Sequence, residues 1–233
     1  MIPFRDNIPS RSTPVITIGI IAVNVLAFFY ELTLGRSLER FMEHYGVVPA
    51  LVFAWPQSDL PFTAIVIPFL TSMFLHAGWL HLIGNMWYLW IFGDNVEDRL
   101  GHFPFLIFYL LSGIGAGIVH TIFNASTFIP SIGASGAIAG VLGAYMVSYP
   151  FARVLTLVPI FIFIQVIEIP ALVVLGFWFI MQFFSGTAAL TTSTNASSGG
   201  VAWWAHVGGF VIGIILVGLF PRKDRPRYDY FQG

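Results

Sequence analysis

The chain has 233 residues, of which 57% are hydrophobic and only 9% are charged; its mean hydropathy is +0.84 and its formal net charge is −1. Soluble domains carry about 25% charged residues, so this composition indicates a membrane protein. The small net charge argues against a nucleic-acid partner, and the absence of cysteine excludes disulfides, thiolate metal sites and a cysteine nucleophile.

Six apolar stretches are candidates for membrane-spanning helices, since about 20 helical residues cross a hydrocarbon core. They lie at 14–34, 79–97, 103–123, 134–150, 168–185 and 202–220. We therefore predict an all-α fold, a polytopic transmembrane bundle of six helices. The predicted domain covers 14–220, between an N-terminal tail at 1–13 and a basic C-terminal tail at 221–233.

Two further apolar stretches, 60–78 and 154–167, contain prolines and do not predict clean spans. The first lies in a long connection that also holds Trp55 and Trp79. Aromatic residues of this kind favour the membrane interface, so the pattern predicts a structured first loop that is partly embedded in the membrane. The charges assigned to this connection include Glu31, Glu39, Glu43 and Asp59.

Positive charge is distributed unevenly over the predicted connections. Arg36 and Arg40 fall on one side, whereas the other side carries Arg5, Arg11, Arg99, Arg153, Arg222, Lys223, Arg225 and Arg227. The positive-inside rule makes the richer side cytoplasmic, so both termini are expected there. We expect a multi-pass protein of a prokaryotic cell membrane. The stretch 186–200 is then an external, flexible loop, and its composition fits a mobile lid or a plain linker.

Four polar side chains lie inside the predicted apolar bundle, where such groups need a partner or a water-filled cavity. His81 and Asn85 are four residues apart, on one face of the second helix. Ser135 begins the fourth helix, where free backbone N–H groups favour a developing oxyanion. His206 lies in the outer half of the sixth helix. All four are predicted at a similar depth below the external surface.

This arrangement predicts a serine–histidine dyad in which His206 accepts the hydroxyl proton of Ser135. The predicted oxyanion donors are the side chains of His81 and Asn85 and the backbone N–H of Ser135. No carboxylate is predicted at this depth, so packing or a neutral group has to orient His206. Structural roles also fit each residue alone, such as helix capping for the serine and interhelical hydrogen bonding for the others.

Small residues recur at helical spacing in three of the predicted spans. The pairs are Gly113 with Gly117, Gly136 with Gly140, and Gly209 with Gly213. Such pairs let helix backbones approach closely in lipid. Two of the three pairs lie next to the candidate serine and histidine, which favours contact between the fourth and sixth helices.

At these residues the sequence resembles the rhomboid intramembrane serine proteases. The three matching motifs are His81-x-x-x-Asn85, Gly133-x-Ser135-Gly136 and Ala205-His206-x-x-Gly209. They follow the family's order and fall in the expected spans. His76 and the segment 93–101, which contains Glu97 and Arg99, also match the family pattern.

The resemblance implies cleavage of peptide bonds in or near transmembrane segments, through an acyl-enzyme on Ser135 and without metal, nucleotide or another cofactor. The implied partners are single-span or other transmembrane substrates and the lipid bilayer. A first loop embedded in the outer leaflet, and a mobile fifth helix and fifth loop that admit substrate, are also implied. Glu97 takes a structural role at the cytoplasmic end of the second helix.

One position departs from the family pattern. Many members carry an aromatic residue four positions after the serine, where it packs on the catalytic histidine, whereas this chain has Ala139. The orientation of His206 then has to come from elsewhere, with Trp203, Trp204 and Tyr145 as the candidates.

Two other functions remain open. A transporter or channel could use the same polar residues to line a path, although no pseudo-symmetric halves are evident. An inactive rhomboid relative could bind membrane proteins without cutting them, although such a protein is expected to have lost the serine or the histidine. A metalloprotease is disfavoured because the sequence has no His-Glu-x-x-His motif.

Overall fold

The computed structural model describes residues 1–160, 163–191 and 201–221, and this part of the chain is mostly helical. Helices α1 to α9 cover Val15–Thr33, Leu38–Tyr45, Pro49–Ala54, Phe62–Thr71, Trp79–Leu100, His102–Phe123, Ser135–Ser148, Ala171–Thr191 and Trp203–Leu219. Strands β1 to β3 cover Ile2–Asp6, Arg153–Ile160 and Phe163–Pro170.

Each of the six predicted spans overlaps a helix, namely α1, α5, α6, α7, α8 and α9. Among the described residues, α1, α6 and most of α8 are long and apolar enough to cross a membrane. Helices α4 and α5 meet the same criterion together, as a pair bent by 79°. Helices α7 and α9 are apolar but shorter, at 14 and 17 residues. The chain is a mostly helical, multi-pass membrane protein, and the number of six spans stays a prediction.

The long first connection is structured, as predicted. It contains α2, α3 and α4 together with three short 3-10 turns. The Thr71 hydroxyl donates to the carbonyl of Tyr45 at 2.7 Å, which holds the end of α4 against the end of α2. The connection also binds the loop before α7, since the N–H of Gly133 donates to the carbonyl of Ser72 at 2.8 Å. The first connection therefore helps to position the start of α7.

The fold departs from the all-α prediction at the stretch 154–167. This stretch forms the hairpin β2–β3, and β1 pairs with β2 to complete a three-stranded antiparallel sheet in the order β1-β2-β3. Residues 2–6 of the predicted tail are therefore a strand. Branched residues favour strands, but the pairing of β1 with a partner about 150 positions later leaves no local pattern in the sequence. The fifth predicted span, placed from 168, begins as α8 at Ala171.

Two predicted segments, the loop 186–200 and the C-terminal tail 221–233, fall largely outside the described residues. Helix α8 continues to Thr191, so the first part of the predicted loop 186–200 is helical and not a flexible loop. Residues 192–200 of that loop lie outside the described residues. The predicted C-terminal tail lies outside them as well, apart from Pro221.

The segment around β1 docks on α5 and α7. The indole N–H of Trp87 donates to the carbonyl of Pro3 at 2.7 Å. The Asp6 carboxylate accepts a short hydrogen bond from the Tyr145 hydroxyl and a second one, at 3.1 Å, from the side-chain amide of Asn95. These contacts join the sheet to the middle and the C-terminal part of α5 and to the C-terminal half of α7.

Glu97 connects the end of α5 to the start of α1. Its carboxylate is 1% exposed and accepts hydrogen bonds from the backbone N–H groups of Ile16 and Thr17, at 3.0 and 2.8 Å. The Thr17 hydroxyl donates to the same carboxylate at 2.7 Å. A helix start leaves such N–H groups without intrahelical partners, so Glu97 satisfies them and has the structural role that the resemblance implies.

Helices α7 and α9 are in backbone contact at their glycines. A Cβ atom added at Gly209 would lie 2.0 Å from the carbonyl oxygen of Gly136, and one added at Gly213 would lie 2.1 Å from that of Gly140. Both distances are far below van der Waals contact, so only glycine permits this approach. The contact lies directly beside the start of α7 and the middle of α9.

We expect Gly213→Ala to lower the free energy of unfolding by about 1–3 kcal/mol, as for other overpacked cores, because the added methyl meets fixed backbone atoms of α7. Thermal unfolding of the purified protein in detergent measures this loss. Gly218→Ala is the matched control on the same helix, where an added Cβ meets nothing within 4 Å. Equal unfolding temperatures for the two variants would contradict the packing described here.

The Asp6 carboxyl predicts a pH dependence of stability. Burial raises its pKa from 3.8 to about 6, although the hydrogen bond from Tyr145 works in the opposite direction. Because the folded state then binds more protons than the unfolded state, the free energy of unfolding falls as the pH rises from about 4 to about 6. We expect Asp6→Asn to flatten this decline, measured by unfolding between pH 4 and 7. Asp59→Asn, at an exposed position, should leave it unchanged; matching curves for the two variants would refute the assignment.

Candidate active site

Ser135 is the first residue of α7 and is half-buried. The loop before it is held in place by backbone hydrogen bonds between Ser131 and Val47, at 2.7 and 3.0 Å. Gly133 in this loop has a φ of 123°, a backbone conformation that residues other than glycine rarely adopt. An added Cβ there would also lie 2.7 Å from the Nε2 atom of His81. Glycine at this position lets the loop 131–134, called the serine loop below, lie against α5.

The structure brings Ser135 and His206 into direct contact. The Nε2 atom of His206 lies 2.8 Å from the Oγ atom of Ser135, although the two residues belong to different helices and are 71 positions apart. His206 is only 9% exposed. This distance permits a hydrogen bond in which the serine hydroxyl donates to the imidazole.

The opposite side of the His206 ring contacts Gln182 of α8, which the sequence analysis missed. The Nδ1 atom of His206 lies 2.7 Å from the Oε1 atom of Gln182, and both side chains are buried. A signal for Gln182 was present in the sequence, since a polar amide within an apolar span requires a partner. The same reasoning that selected the other polar residues applies to it.

Two of the three aromatic candidates for orienting His206 contact other groups. The ring of Trp204 stacks on Phe123 with a centroid distance of 3.9 Å, and the Tyr145 hydroxyl binds Asp6. Trp203 is near the histidine, but edge-on with a centroid distance of 6.4 Å. The nearest aromatic ring to His206 is that of Trp178, at 5.7 Å and inclined by 34°. Of the three candidates, Trp203 has its ring beside His206.

The candidate oxyanion residues lie beside the serine loop. The Nδ2 atom of Asn85 is 2.9 Å from the Nε2 atom of His76, and both side chains are buried. The ring of His81 is 5.0 Å from that of His76, and its Nδ1 atom is within 3.4 Å of the backbone N–H of Ala77. Both Asn85 and His81 approach Gly133, two residues before Ser135. Their role as oxyanion donors stays a prediction.

Glu31 corrects the expectation that no carboxylate lies close to the site. The sequence analysis placed it in the first connection, but α1 continues to Thr33, so Glu31 belongs to the helix and is 2% exposed. Both of its carboxylate oxygens lie 3.3 Å from the backbone nitrogen of His76. His76 in turn contacts Asn85, so the carboxylate is linked to the candidate oxyanion residues through one histidine.

A cavity lies beside Ser135. Its walls include Ser72, Gly113, Gly117 and Ala205, so elements from the first connection, α6 and α9 surround it. Within the described ranges, no three histidine or acidic side chains come close enough together to hold a metal ion. The described polar side chains beside the cavity include a hydroxyl, imidazoles and amide groups.

The two hydrogen-bond contacts of the His206 ring indicate which of its nitrogens carries the proton. The amide oxygen of Gln182 can only accept a hydrogen bond, so the neutral His206 ring carries its proton on Nδ1. Its Nε2 atom is then free to accept the proton of the Ser135 hydroxyl. A serine held against a neutral imidazole in this way is the arrangement that general-base catalysis requires.

The chain is similar in sequence to several proteins that are named as rhomboid-like. The chain is 32% identical over 207 residues to the human presenilin-associated rhomboid-like protein, mitochondrial, and the match covers 85% of this chain and 46% of the relative. It is 30% identical over 169 residues to rhomboid-like protein 11, chloroplastic, of Arabidopsis thaliana, with 69% and 55% covered. RHOMBOID-like protein 6, mitochondrial, of the same plant is 31% identical over 166 residues, with 70% and 46% covered. The chain spans about half the length of these relatives.

The names of these relatives place them in mitochondria and chloroplasts, so they give no support to the predicted prokaryotic cell membrane. Residues 64–223 match the family model described as the Rhomboid domain. This range is more than half of the chain, and it contains all three motifs on which the predicted resemblance depends. The chain belongs to the rhomboid family.

Proposed function

We propose that this protein is an intramembrane serine endopeptidase that cleaves transmembrane segments of other membrane proteins. The observation that carries the proposal is the 2.8 Å contact between the Ser135 hydroxyl and the His206 imidazole inside an apolar helical bundle. Membership of the rhomboid family supports the same activity. Single-span or other transmembrane proteins are the proposed substrates, in a lipid bilayer and without metal or cofactor.

The first step is attack of Ser135 on the scissile carbonyl. As the Oγ atom bonds to the carbonyl carbon, its proton passes to Nε2 of His206, and the carbonyl π electrons move onto the oxygen. The resulting oxyanion is stabilised by the backbone N–H of Ser135, at the start of α7, and by the side chains of His81 and Asn85. The helix N-terminus adds a favourable dipole at the same point.

The second step releases the amine and forms the acyl-enzyme. The tetrahedral intermediate collapses, the C–N bond breaks, and the imidazolium of His206 returns its proton to the leaving nitrogen. Water then attacks the acyl group while His206 takes its proton; the bond between the carbonyl carbon and Oγ of Ser135 breaks, Oγ regains a proton from His206, and the acid product leaves. Each step uses the same two side chains, so the chemistry needs no carboxylate in contact with the histidine.

The orientation of the chain in the membrane forms part of the proposal. The side that holds most of the Lys and Arg residues carries both termini, in accordance with the positive-inside rule. The start of α7 then lies toward the opposite side, where Ser135 meets the first connection. Substrate would approach the dyad from that half of the bilayer.

We expect Ser135→Ala and His206→Ala each to abolish cleavage, because one removes the nucleophile and the other its base. The assay uses purified protein in liposomes with a single-span substrate whose helix is destabilised near its end. Wild-type protein should also be labelled by a fluorophosphonate, with the label located on Ser135.

Ser148→Ala is the matched control, since this serine lies at the other end of α7 and donates only to its own helix, to the carbonyl of Ala144. It should cleave and label like the wild type. Full activity in Ser135→Ala would contradict the protease proposal. A substrate left intact by the wild type and by every variant would contradict it as well, and this is the result expected of a transporter or an inactive binder.

We expect Asn85→Ala to lower kcat by about 10²–10³-fold, the usual cost of removing one oxyanion donor from a serine hydrolase. KM should change little, because the interaction forms in the transition state. Asn124→Ala is the control, since this amide binds only the neighbouring turn at His120. An unchanged kcat in Asn85→Ala would remove Asn85 from the proposed oxyanion site.

A further inference from the structure

Gln182 is the buried polar side chain of α8 in the described structure, and it is 8% exposed. Its Oε1 atom makes a 2.7 Å contact with Nδ1 of His206. Burying an amide without a partner costs about 1–3 kcal/mol by mutational measures, so the amide has to retain this contact. The interaction joins α8 to α9 at the candidate base.

The atom that the amide turns toward the imidazole is coupled to the ring nitrogen that carries the proton. With the oxygen of Gln182 facing Nδ1, the proton resides on Nδ1, and Nε2 can accept from Ser135. The reverse amide orientation would direct N–H donors at Nδ1 and leave the proton on Nε2, where it blocks acceptance from the serine. The state of the base therefore depends on the Gln182 amide.

A second residue of α8 contacts the same ring. Trp178 lies one helical turn before Gln182, and its ring is 5.7 Å from that of His206. The position four residues after the serine holds the small, fully buried Ala139, which supplies no aromatic ring. Helix α8 thus contributes both a polar acceptor at the edge of the imidazole and an aromatic ring beside it.

We propose that Gln182 is a positioning residue that holds His206 in the tautomer and orientation needed to accept the Ser135 proton. The inference rests on the proposed protease function. It makes α8 part of the catalytic unit, because a shift of this helix away from α9 separates the amide from Nδ1 and removes the base from its active tautomer.

The test compares Gln182→Met and Gln182→Glu with Gln165→Met. Methionine preserves the length and the apolar fit of the side chain but cannot accept at Nδ1, whereas glutamate keeps an acceptor oxygen. Gln165 is exposed on β3 and carries the same substitution away from the site. Thermal unfolding in detergent checks that each variant is folded.

We expect Gln182→Met to lower kcat by about 10²-fold, the lower end of the contribution of general acid–base catalysis, with KM unchanged. Gln182→Glu should recover most of that loss, and Gln165→Met should match the wild type. The second readout is ¹⁵N NMR of the His206 imidazole, which should show protonation at Nδ1 in the wild type and a mixture of tautomers in Gln182→Met.

A wild-type kcat in Gln182→Met, or a loss that appears equally in Gln165→Met, overturns the inference. An unchanged tautomer in the NMR spectrum does so as well, and this readout does not require activity. Failure of the protease proposal itself is distinguishable, because the wild type would then neither cleave the substrate nor take up the fluorophosphonate on Ser135.

Discussion

The backbones of α7 and α9 touch at Gly136, Gly140, Gly209 and Gly213, and this contact determines where the hydroxyl and the imidazole meet. In lipid there is little hydrophobic force between helices, so close packing and interhelical hydrogen bonds hold them together. Ser135 is adjacent to the first of these glycines, and His206 is three residues before the third. The 2.8 Å contact between their side chains thus follows from a backbone approach that any larger residue would prevent.

The polar groups of the site are held by elements that surround this helix pair. The first connection binds the loop before Ser135 through the carbonyl of Ser72, and α1 reaches the backbone of His76 through Glu31. On the other side, α8 contributes Gln182. In an apolar interior each polar atom needs a partner, so these contacts both stabilise the bundle and fix the reacting groups.

Much of the helical framework and the main contact of the site could be predicted from the sequence. Long apolar stretches determine helix positions because lipid leaves the backbone few alternatives, and the His81, Ser135 and His206 motifs identified the residues that meet. Glu31 was misplaced because its charge was assigned to the first connection, although the predicted stretch 14–34 contains it and α1 continues to Thr33. Gln182 is a single amide in the fifth predicted span, and the sequence alone does not give the partner that such a group contacts in the folded bundle. The sheet could not be predicted, because the partner of β1 lies far away in the chain.

The pairing of β1 with β2 has a consequence for the order in which the protein is assembled. The ladder joins residues 2–6 to residues 154–157, so it closes a loop that includes α1 to α7. Contacts of such large sequence separation form slowly, since the entropy of the intervening chain has to be lost first. During synthesis, β1 is made long before β2, and it has no partner strand in this sheet until α1 to α7 have been synthesised. Completion of the sheet is therefore a late step of assembly, in which residues 2–6 pair with residues 154–157.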